Sequence, residues 1–119
     1  SPQWLAFRYI PSCDIDIAEV QLHIGAAQGI AILADNGGHP GIVRGQGAPT
    51  DAGGGWASIS LSPPVQAHAG AIFWLAGLGA TCSTAPGTAE PSWTSAAVTG
   101  PWQSGAQGSF TARIAAACP

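Results

Sequence analysis

Glycine and proline interrupt this chain so often that they exclude long helices and favour short strands. The chain holds 17 Gly and 10 Pro, and breaks recur about every eight to twelve residues, the spacing typical of strands joined by turns. No stretch keeps apolar residues at helical spacing over several turns without meeting one of these two residues. The sequence therefore predicts an all-β fold.

The hydrophobic alternation places about eight short strands along the chain. The clearest covers residues 15–24, where apolar positions alternate in one phase over 15–17 and in the opposite phase over 20–24. Because a shift of one residue moves side chains to the other face of a sheet, a β-bulge is expected near Ala18 and Glu19.

Two further expected strands and a long loop bear on the core and on the site. Residues 71–78 are continuously apolar, as in a central strand buried on both faces, so Trp74 is expected in the core. Residues 82–108 read as loop, although they contain tryptophans. Residues 109–118 alternate and are expected to form the closing strand.

The expected architecture is a single domain over residues 1–119, an antiparallel two-sheet β-sandwich of jelly-roll type. Apolar residues make up 46% of the chain and charged residues only 8%, which is enough apolar material to form a core. The Cys–Trp–Cys spacing of an immunoglobulin domain is missing from the sequence.

Three cysteines, Cys13, Cys82 and Cys118, indicate an oxidising compartment with one disulfide and one remaining thiol. If the strands at 15–24 and 109–118 are antiparallel neighbours, Cys13 lies beside Cys118, and a bridge there would stabilise the fold by about 4–5 kcal/mol. Cys82–Cys118 is the alternative pairing. From these cysteines we expect a secreted or cell-surface protein. Since Met is absent even at position 1, we expect that either a signal peptide has been removed or the chain is a module of a longer protein.

The charge inventory disfavours two classes of partner. The chain has no Lys, three scattered Arg and a net charge of −3, whereas nucleic-acid binding depends on cations that neutralise phosphates. The same scarcity leaves no polybasic patch for an anionic membrane. Apolar runs reach about ten residues, well short of the ~20 that span a bilayer. We therefore expect neither nucleic-acid binding nor membrane insertion.

The turn at residues 35–41 holds the densest cluster of special residues, Asp-Asn-Gly-Gly-His-Pro-Gly. Two glycines there can supply positive φ, and Asp35 and Asn36 can bond their own backbone, so a structural turn is favoured. A calcium loop is the alternative, but beyond Asp35 and Asn36 the nearest further acid is Asp51 on another loop, too few oxygen ligands.

Other constellations also argue against catalysis. The histidines (His23, His39 and His68) lack the short spacing of zinc and copper sites, so no metal or other cofactor is expected. The acids at Asp14, Asp16 and Glu19 start one strand without an evident cleft. No Gly-x-Ser-x-Gly motif occurs. We expect no catalytic residue.

The tryptophans carry the binding hypothesis. The chain has five, and Trp56, Trp93 and Trp102 lie next to Gly, Ser or Pro in expected loops, where flat rings can stack on sugars or anchor a protein interface. The alternative is that they close the ends of the sandwich. A joint site of Trp93 and Trp102, with the polar Gln103 and Ser92 nearby, is the sharpest prediction.

Three runs in order, VQLHIG at 20–25, ADNGGHPG at 34–41 and AGAIFWL at 69–75, resemble extracellular bacterial β-sandwich modules of the choice-of-anchor type. Ala71 and Phe73 stand where those modules carry Thr and Tyr. The resemblance covers residues 15–78 and implies a secreted, non-catalytic domain attached to surface or carbohydrate-active proteins; it carries over no functional residue.

Three functions remain open at this point. The first is a non-catalytic extracellular binding or accessory module with a polysaccharide or glycan as ligand. The second is a self-assembling subunit of a surface layer, filament or virus particle, suggested by the scarcity of charge. The third is a small metal-dependent enzyme using His23, His39 or His68.

Overall fold

The structure, a computed structural model, describes residues 3–23, 25–54, 56–81, 91–107 and 112–114. These described ranges contain β-strands and no helix, which confirms the all-β prediction, and the strands are more numerous than expected. They are β1 (Gln3–Tyr9), β2 (Ile15–His23), β3 (Gly25–Asn36), β4 (His39–Gly47), β5 (Thr50–Gly53), β6 (Trp56–Ala67), β7 (Phe73–Thr81), β8 (Pro91–Ser95), β9 (Gln103–Gln107) and β10 (Ala112–Ile114).

The strands form two antiparallel sheets. The larger has six strands in the order β4-β3-β7-β1-β8-β9, and the smaller has four in the order β10-β2-β6-β5. The apolar run at 71–78 supplies most of β7, which lies between β3 and β1. Its side chains are buried on both faces, since Trp74, Leu75 and Ala76 are all buried. A central strand was predicted there, and this is confirmed.

The irregularity expected in β2 is present at its predicted place. The register of β2 against β6 shifts between Ile17, which pairs with Val65, and Glu19, which pairs with Ser60. Residues 61–64 of β6 therefore lie opposite Ala18 alone, and two of them are prolines, which cannot donate to a ladder. Both apolar phases of β2 consequently reach the core.

One hydrophobic cluster draws on both sheets, and we call it the inner cluster. Its aliphatic and aromatic side chains come from β1, β3 and β7 of the larger sheet and from β2 and β6 of the smaller. Its members are Phe7, Ile17, Val20, Leu22, Ile30, Ile32, Ala57, Ile59, Leu61, Val65, Ala67, Phe73 and Leu75. The faces that carry these residues are the inner faces of the sheets.

A second cluster covers the opposite face of the larger sheet, and we call it the outer cluster. Its buried members are Trp4, Ala6, Ala31, Leu33, Trp74 and Ala76, with Val43, Ile72, Leu78, Trp93, Val98 and Trp102 partly buried against them. Trp74 is buried as expected, with 4% of its surface exposed, but it lies in this outer cluster rather than between the sheets.

The loop predicted over residues 82–108 is wrong in two places. Both β8 and β9 form there and pair with each other, and β8 also pairs with β1. Their residues are mostly small and polar, so the sequence shows no hydrophobic alternation there. β8 is instead defined by its backbone pairing with β1. The middle of the predicted loop, residues 82–90, lies outside the described residues.

The end of the chain follows the expected pairing where it is described. β10 pairs antiparallel with β2, matching Ala112 to Leu22, so the premise for a bridge near the start of β2 is confirmed. Cys13 is disulfide-bonded. Both Cys82 and Cys118 lie outside the described residues, so the choice of Cys118 as its partner stays a prediction, and peptide mapping under non-reducing conditions would test it.

Candidate ligand-binding site

The larger sheet curves over its outer face, and this curvature creates the candidate site. Three strands separate β4 from β8 in the sheet, which in a flat sheet would place them roughly 19 Å apart. Nevertheless the ring centroids of His39 on β4 and Trp93 on β8 are 5.7 Å apart, with the rings tilted by 53°. The two sides of the sheet therefore lean towards each other above the outer cluster.

Small residues on the outer face make room for large rings. Ala31, Ala76 and Ala6 are cross-strand partners in adjacent strands, and Ala6 is opposite Trp93 in the next strand. All three alanines are fully buried. The Trp4 ring likewise occupies space over Gly29, where an added Cβ would lie 2.8 Å from its Cη2 atom. Indoles thus take the volume that aliphatic side chains fill on the inner face.

An open pocket of about 690 Å³ lies between β4 and the segment that follows β8. Its lining combines two indoles, aliphatic side chains and neutral polar groups: Asn36, His39, Pro40, Gly41, Ile42, Val43, Trp93, Thr99, Gly100, Pro101 and Trp102. No Asp, Glu, Lys or Arg is among these described lining residues. The arrangement suits an uncharged ligand with an apolar face and polar edges.

The rim formed by β4 is held by a tight hairpin. Gly37 and Gly38 have φ of 65° and 96°, as the two central residues of a type I′ turn require, which confirms that this segment contains a glycine turn. The carboxylate of Asp35 accepts hydrogen bonds from the Gly38 N–H at 3.2 Å and from Nε1 of Trp74 at 3.0 Å. This carboxylate therefore joins the hairpin to the outer cluster.

His39 presents a defined ring nitrogen. Its Nδ1 lies 3.1 Å from the carbonyl oxygen of Pro40, and because a carbonyl only accepts, Nδ1 must carry the hydrogen. In the neutral ring, Nε2 is then an acceptor. Beside the face of Trp93, His39 can therefore accept from a hydroxyl group while the indole provides an apolar surface.

The opposite rim is the segment 96–102, which we call the strap. Val98 and Trp102 of the strap pack against the outer cluster. Local bonds hold its turn: Ser95 Oγ donates to the carbonyl of Ala97 at 2.6 Å, and the Gly100 N–H donates to the same carbonyl at 2.9 Å. The strap covers the aromatic face without adding a strand to it.

Trp102 differs from Trp74 in the state of its indole N–H. Its Nε1 atom is buried and has no hydrogen-bond partner in the part of the chain that the structure describes. Gly100 lies close above it, since an added Cβ there would be 3.1 Å from Cδ1 and 3.6 Å from Nε1 of Trp102. Gly100 also has φ of 90°, a conformation that favours glycine.

The structure brings together two of the four ligand-binding residues predicted from sequence. Trp93 and Trp102 both line the pocket, whereas Gln103, although exposed at the start of β9, does not. Trp56 lies in the smaller sheet, where its ring meets that of His23 at 5.1 Å edge to face and His23 Nε2 donates to the carbonyl of Gly54 at 2.9 Å. Nothing is described of the Ser92 side chain.

The histidines and acids are spread over separate places. His68 Nδ1 lies 3.8 Å from Asp14 Oδ1, and both side chains are more than three-quarters exposed, at 80% and 76%, so solvent screens this pair. Asp14 also accepts from the Ala69 N–H at 2.8 Å, while Glu19 accepts from Ser58 Oγ at 2.6 Å. Within the described ranges no three His, Cys, Asp or Glu side chains are grouped to hold a metal ion.

Sequence reasoning missed the β4 half of the pocket. His39 and Asn36 were assignable only to a turn, because nothing along the chain indicates that this turn reaches residues 93–102. The histidine in an otherwise small-residue turn is the one available signal, and it does not specify its ring partner.

Comparisons with protein-family models, with curated proteins and with solved structures find no match for this chain. The resemblance to choice-of-anchor-type modules therefore stays a prediction. In the described residues there is no helix of the length and apolarity that crossing a membrane requires.

Proposed function

We propose that this protein is a non-catalytic extracellular binding module whose pocket takes a neutral carbohydrate between Trp93 and Trp102. The observation that carries the proposal is the convergence of two partly exposed indoles in one open pocket, with no charged side chain among its described lining residues. Residues from β3, β4, β8 and the strap form this pocket, so strands that are far apart in the larger sheet position it.

The chemistry of the lining favours a sugar. The C–H face of a pyranose is apolar and stacks on an indole, while its hydroxyls need donors and acceptors at the ring edge. His39, Asn36 and Thr99 line the same pocket and can supply such groups. The absence of cations among the described lining residues disfavours phosphate, sulfate and uronate ligands.

The proposed scaffold is a jelly-roll-like β-sandwich. Two antiparallel sheets that contribute side chains to one inner cluster support this interpretation. Secretion or surface display belongs to the same proposal, since the disulfide at Cys13 would persist in an oxidising compartment.

Isothermal titration with neutral hexasaccharides (cellohexaose, xylohexaose, mannohexaose and chitohexaose) tests the proposal. We expect at least one to bind, and Trp93→Ala to weaken that binding about tenfold or more. Trp56→Ala is the matched control, because it removes an indole from the smaller sheet. The affinity of this variant for the same sugar should stay within about twofold of that of the unmodified protein. Absence of binding to every sugar by folded protein, or equal losses in both variants, would contradict the proposal.

Self-assembly is the second candidate, and Ile42 supports it. This side chain is 77% exposed and stands on the rim of the pocket, where it could contact another copy of the chain. Size-exclusion chromatography with light scattering separates the two ideas. A concentration-dependent oligomer that Ile42→Ser dissolves would favour assembly, whereas a monomer at high concentration would oppose it.

A further inference from the structure

We infer that the indole N–H of Trp102 is a ligand-binding donor, and that the pocket selects ligands that present an oxygen acceptor to it when the strap opens. This inference rests on the proposed binding function and deepens it. A sugar hydroxyl or ring oxygen has the required acceptor, whereas a purely apolar ligand of the same shape does not.

The first support is the contrast between two indoles of one cluster. Nε1 of Trp74 donates to Asp35 at 3.0 Å, while Nε1 of Trp102 is buried without a partner among the described residues. Both rings belong to the outer cluster. A buried donor that lacks an acceptor loses its bond to water and gains nothing in return, so the free conformation carries a penalty at Trp102.

The second support is the position of this donor. Trp102 lines the pocket and ends the strap, and Gly100 of the same strap lies beside the donor, since a Cβ added at Gly100 would be 3.6 Å from Nε1. A displacement of the strap at Gly100 is therefore the movement that we assign to exposing this N–H to a ligand in the pocket. The strap is held by turn bonds within residues 95–100 rather than by a described ladder with a sheet.

These two features give ligand binding a defined conformational component. A ligand that offers an acceptor to Trp102 satisfies the donor in the open arrangement, while the closed arrangement leaves it unsatisfied. Such a ligand binds the open arrangement better and shifts the population towards it. Ligands without an acceptor gain only the stacking surface and do not shift the strap.

The test replaces one N–H by sulfur without changing ring size. Incorporation of 3-benzothienylalanine at position 102 removes the donor of Trp102, and the same replacement at position 74 removes that of Trp74 as a matched control. Thermal unfolding of each free protein and titration with the four neutral hexasaccharides named above are the two measurements.

At position 102 we expect an unchanged or higher Tm and an affinity about tenfold weaker, since an unpaired donor is removed from the free protein and a paired one from the complex. At position 74 we expect a lower Tm and an affinity within about twofold of the unmodified protein. A Tm loss at 102 as large as at 74 would overturn the inference, because the donor would then have a partner in the free protein.

An unchanged affinity at 102 would also overturn it while leaving the binding function in place. If the unmodified protein binds none of the sugars, the proposed function fails instead, and this outcome is distinct because it requires no variant. Trp102→Phe gives a second check, because this variant lacks the donor and sugar should not open its strap. The fluorescence of the remaining indoles should therefore change less on addition of sugar than it does in the unmodified protein.

Discussion

The two faces of the larger sheet are built from the same strands but completed in different ways. On the inner face, Ile30, Ile32 and Leu75 are fully buried against the smaller sheet. On the outer face, indoles lie over alanines and are covered by a short strap, which leaves Trp93 partly exposed and the Trp102 N–H without a partner among the described residues. The smaller sheet therefore completes the inner face, whereas on the outer face the proposed ligand would complete the groups that the described residues leave exposed.

The chemical difference explains why only one face carries a candidate site. Aliphatic side chains need contact alone, so a second sheet satisfies them fully. Indoles also need a partner for their N–H, and the neighbouring strand β3 supplies one to Trp74 through Asp35, whereas Trp102 has none among the described residues. Substitutions made on both faces test this division.

Leu75→Ala and Leu78→Ala make the same change on opposite faces of β7. Leu75 is fully buried in the inner cluster, whereas Leu78 is only partly buried against the outer one. We expect Leu75→Ala to lower the free energy of unfolding by about 3 kcal/mol and Leu78→Ala by about 1 kcal/mol. Urea denaturation measures both, and equal losses would show that the two faces are equally complete.

Asp35→Ala removes the carboxylate that joins the β3–β4 hairpin to Trp74. Two donors, the Gly38 N–H and Nε1 of Trp74, would lose their acceptor, so we expect a loss of about 2 kcal/mol. Asp51→Ala is the control, because Asp51 is exposed and bonds only the nearby Gly53 N–H among the described contacts, and about 0.5 kcal/mol is expected. A smaller effect at Asp35 than at Asp51 would contradict the assignment.

Gly29→Ala tests the close approach of Trp4 to β3. The new Cβ would lie 2.8 Å from the ring, which must then move within a buried cluster, so we expect a loss of about 1.5 kcal/mol and a shifted tryptophan emission spectrum. Gly47→Ala is the matched control, since its nearest neighbour, Ile59, would be at an ordinary 3.5 Å. If Gly29→Ala kept full stability, the Trp4 ring would be able to move within the outer cluster without cost, which would contradict the close packing proposed there.

Tyr9 gives the smallest effect, and it appears only in alkali. Burial raises the pKa of this phenol from its usual 10.0, because desolvation disfavours the phenolate. The contribution of the neutral phenol to the free energy of unfolding is fully present below the pKa of the unfolded state. It is lost as the pH rises through the higher pKa of the folded state. Tyr9→Phe should therefore flatten the decline of Tm above about pH 10, and an identical decline in both proteins would exclude this tyrosine as its source.

Local sequence signals predicted the strands that depend on local patterns. The phase change in β2 located its irregularity, and the continuous apolar run located β7, since each pattern reports how a strand contacts its immediate surroundings. β8 was not predicted as a strand, because Trp93 stands among small polar residues. Its pairing with Ala6 depends on β1, which lies far away in the sequence.

The candidate site was predictable only in part for a related reason. Tryptophans in Gly- and Ser-rich surroundings pointed to Trp93 and Trp102, but the same criterion selected Trp56, which lies in the other sheet. The contact of His39 with Trp93 depends on the curvature of a six-stranded sheet. Such curvature sums over many residues and has no local sequence signal.

The irregular shape of β4 has a consequence for solubility. β4 forms an edge of the larger sheet, and exposed edges offer unpaired backbone groups on which other chains can aggregate. Its register against β3 shifts twice, first between Gly45 and Val43 of β4 and then between Val43 and Pro40. The exposed Arg44 lies within the first of these shifts. In a chain with no Lys and only three Arg, one cation on a kinked edge makes that edge a poor template for amyloid-like stacking.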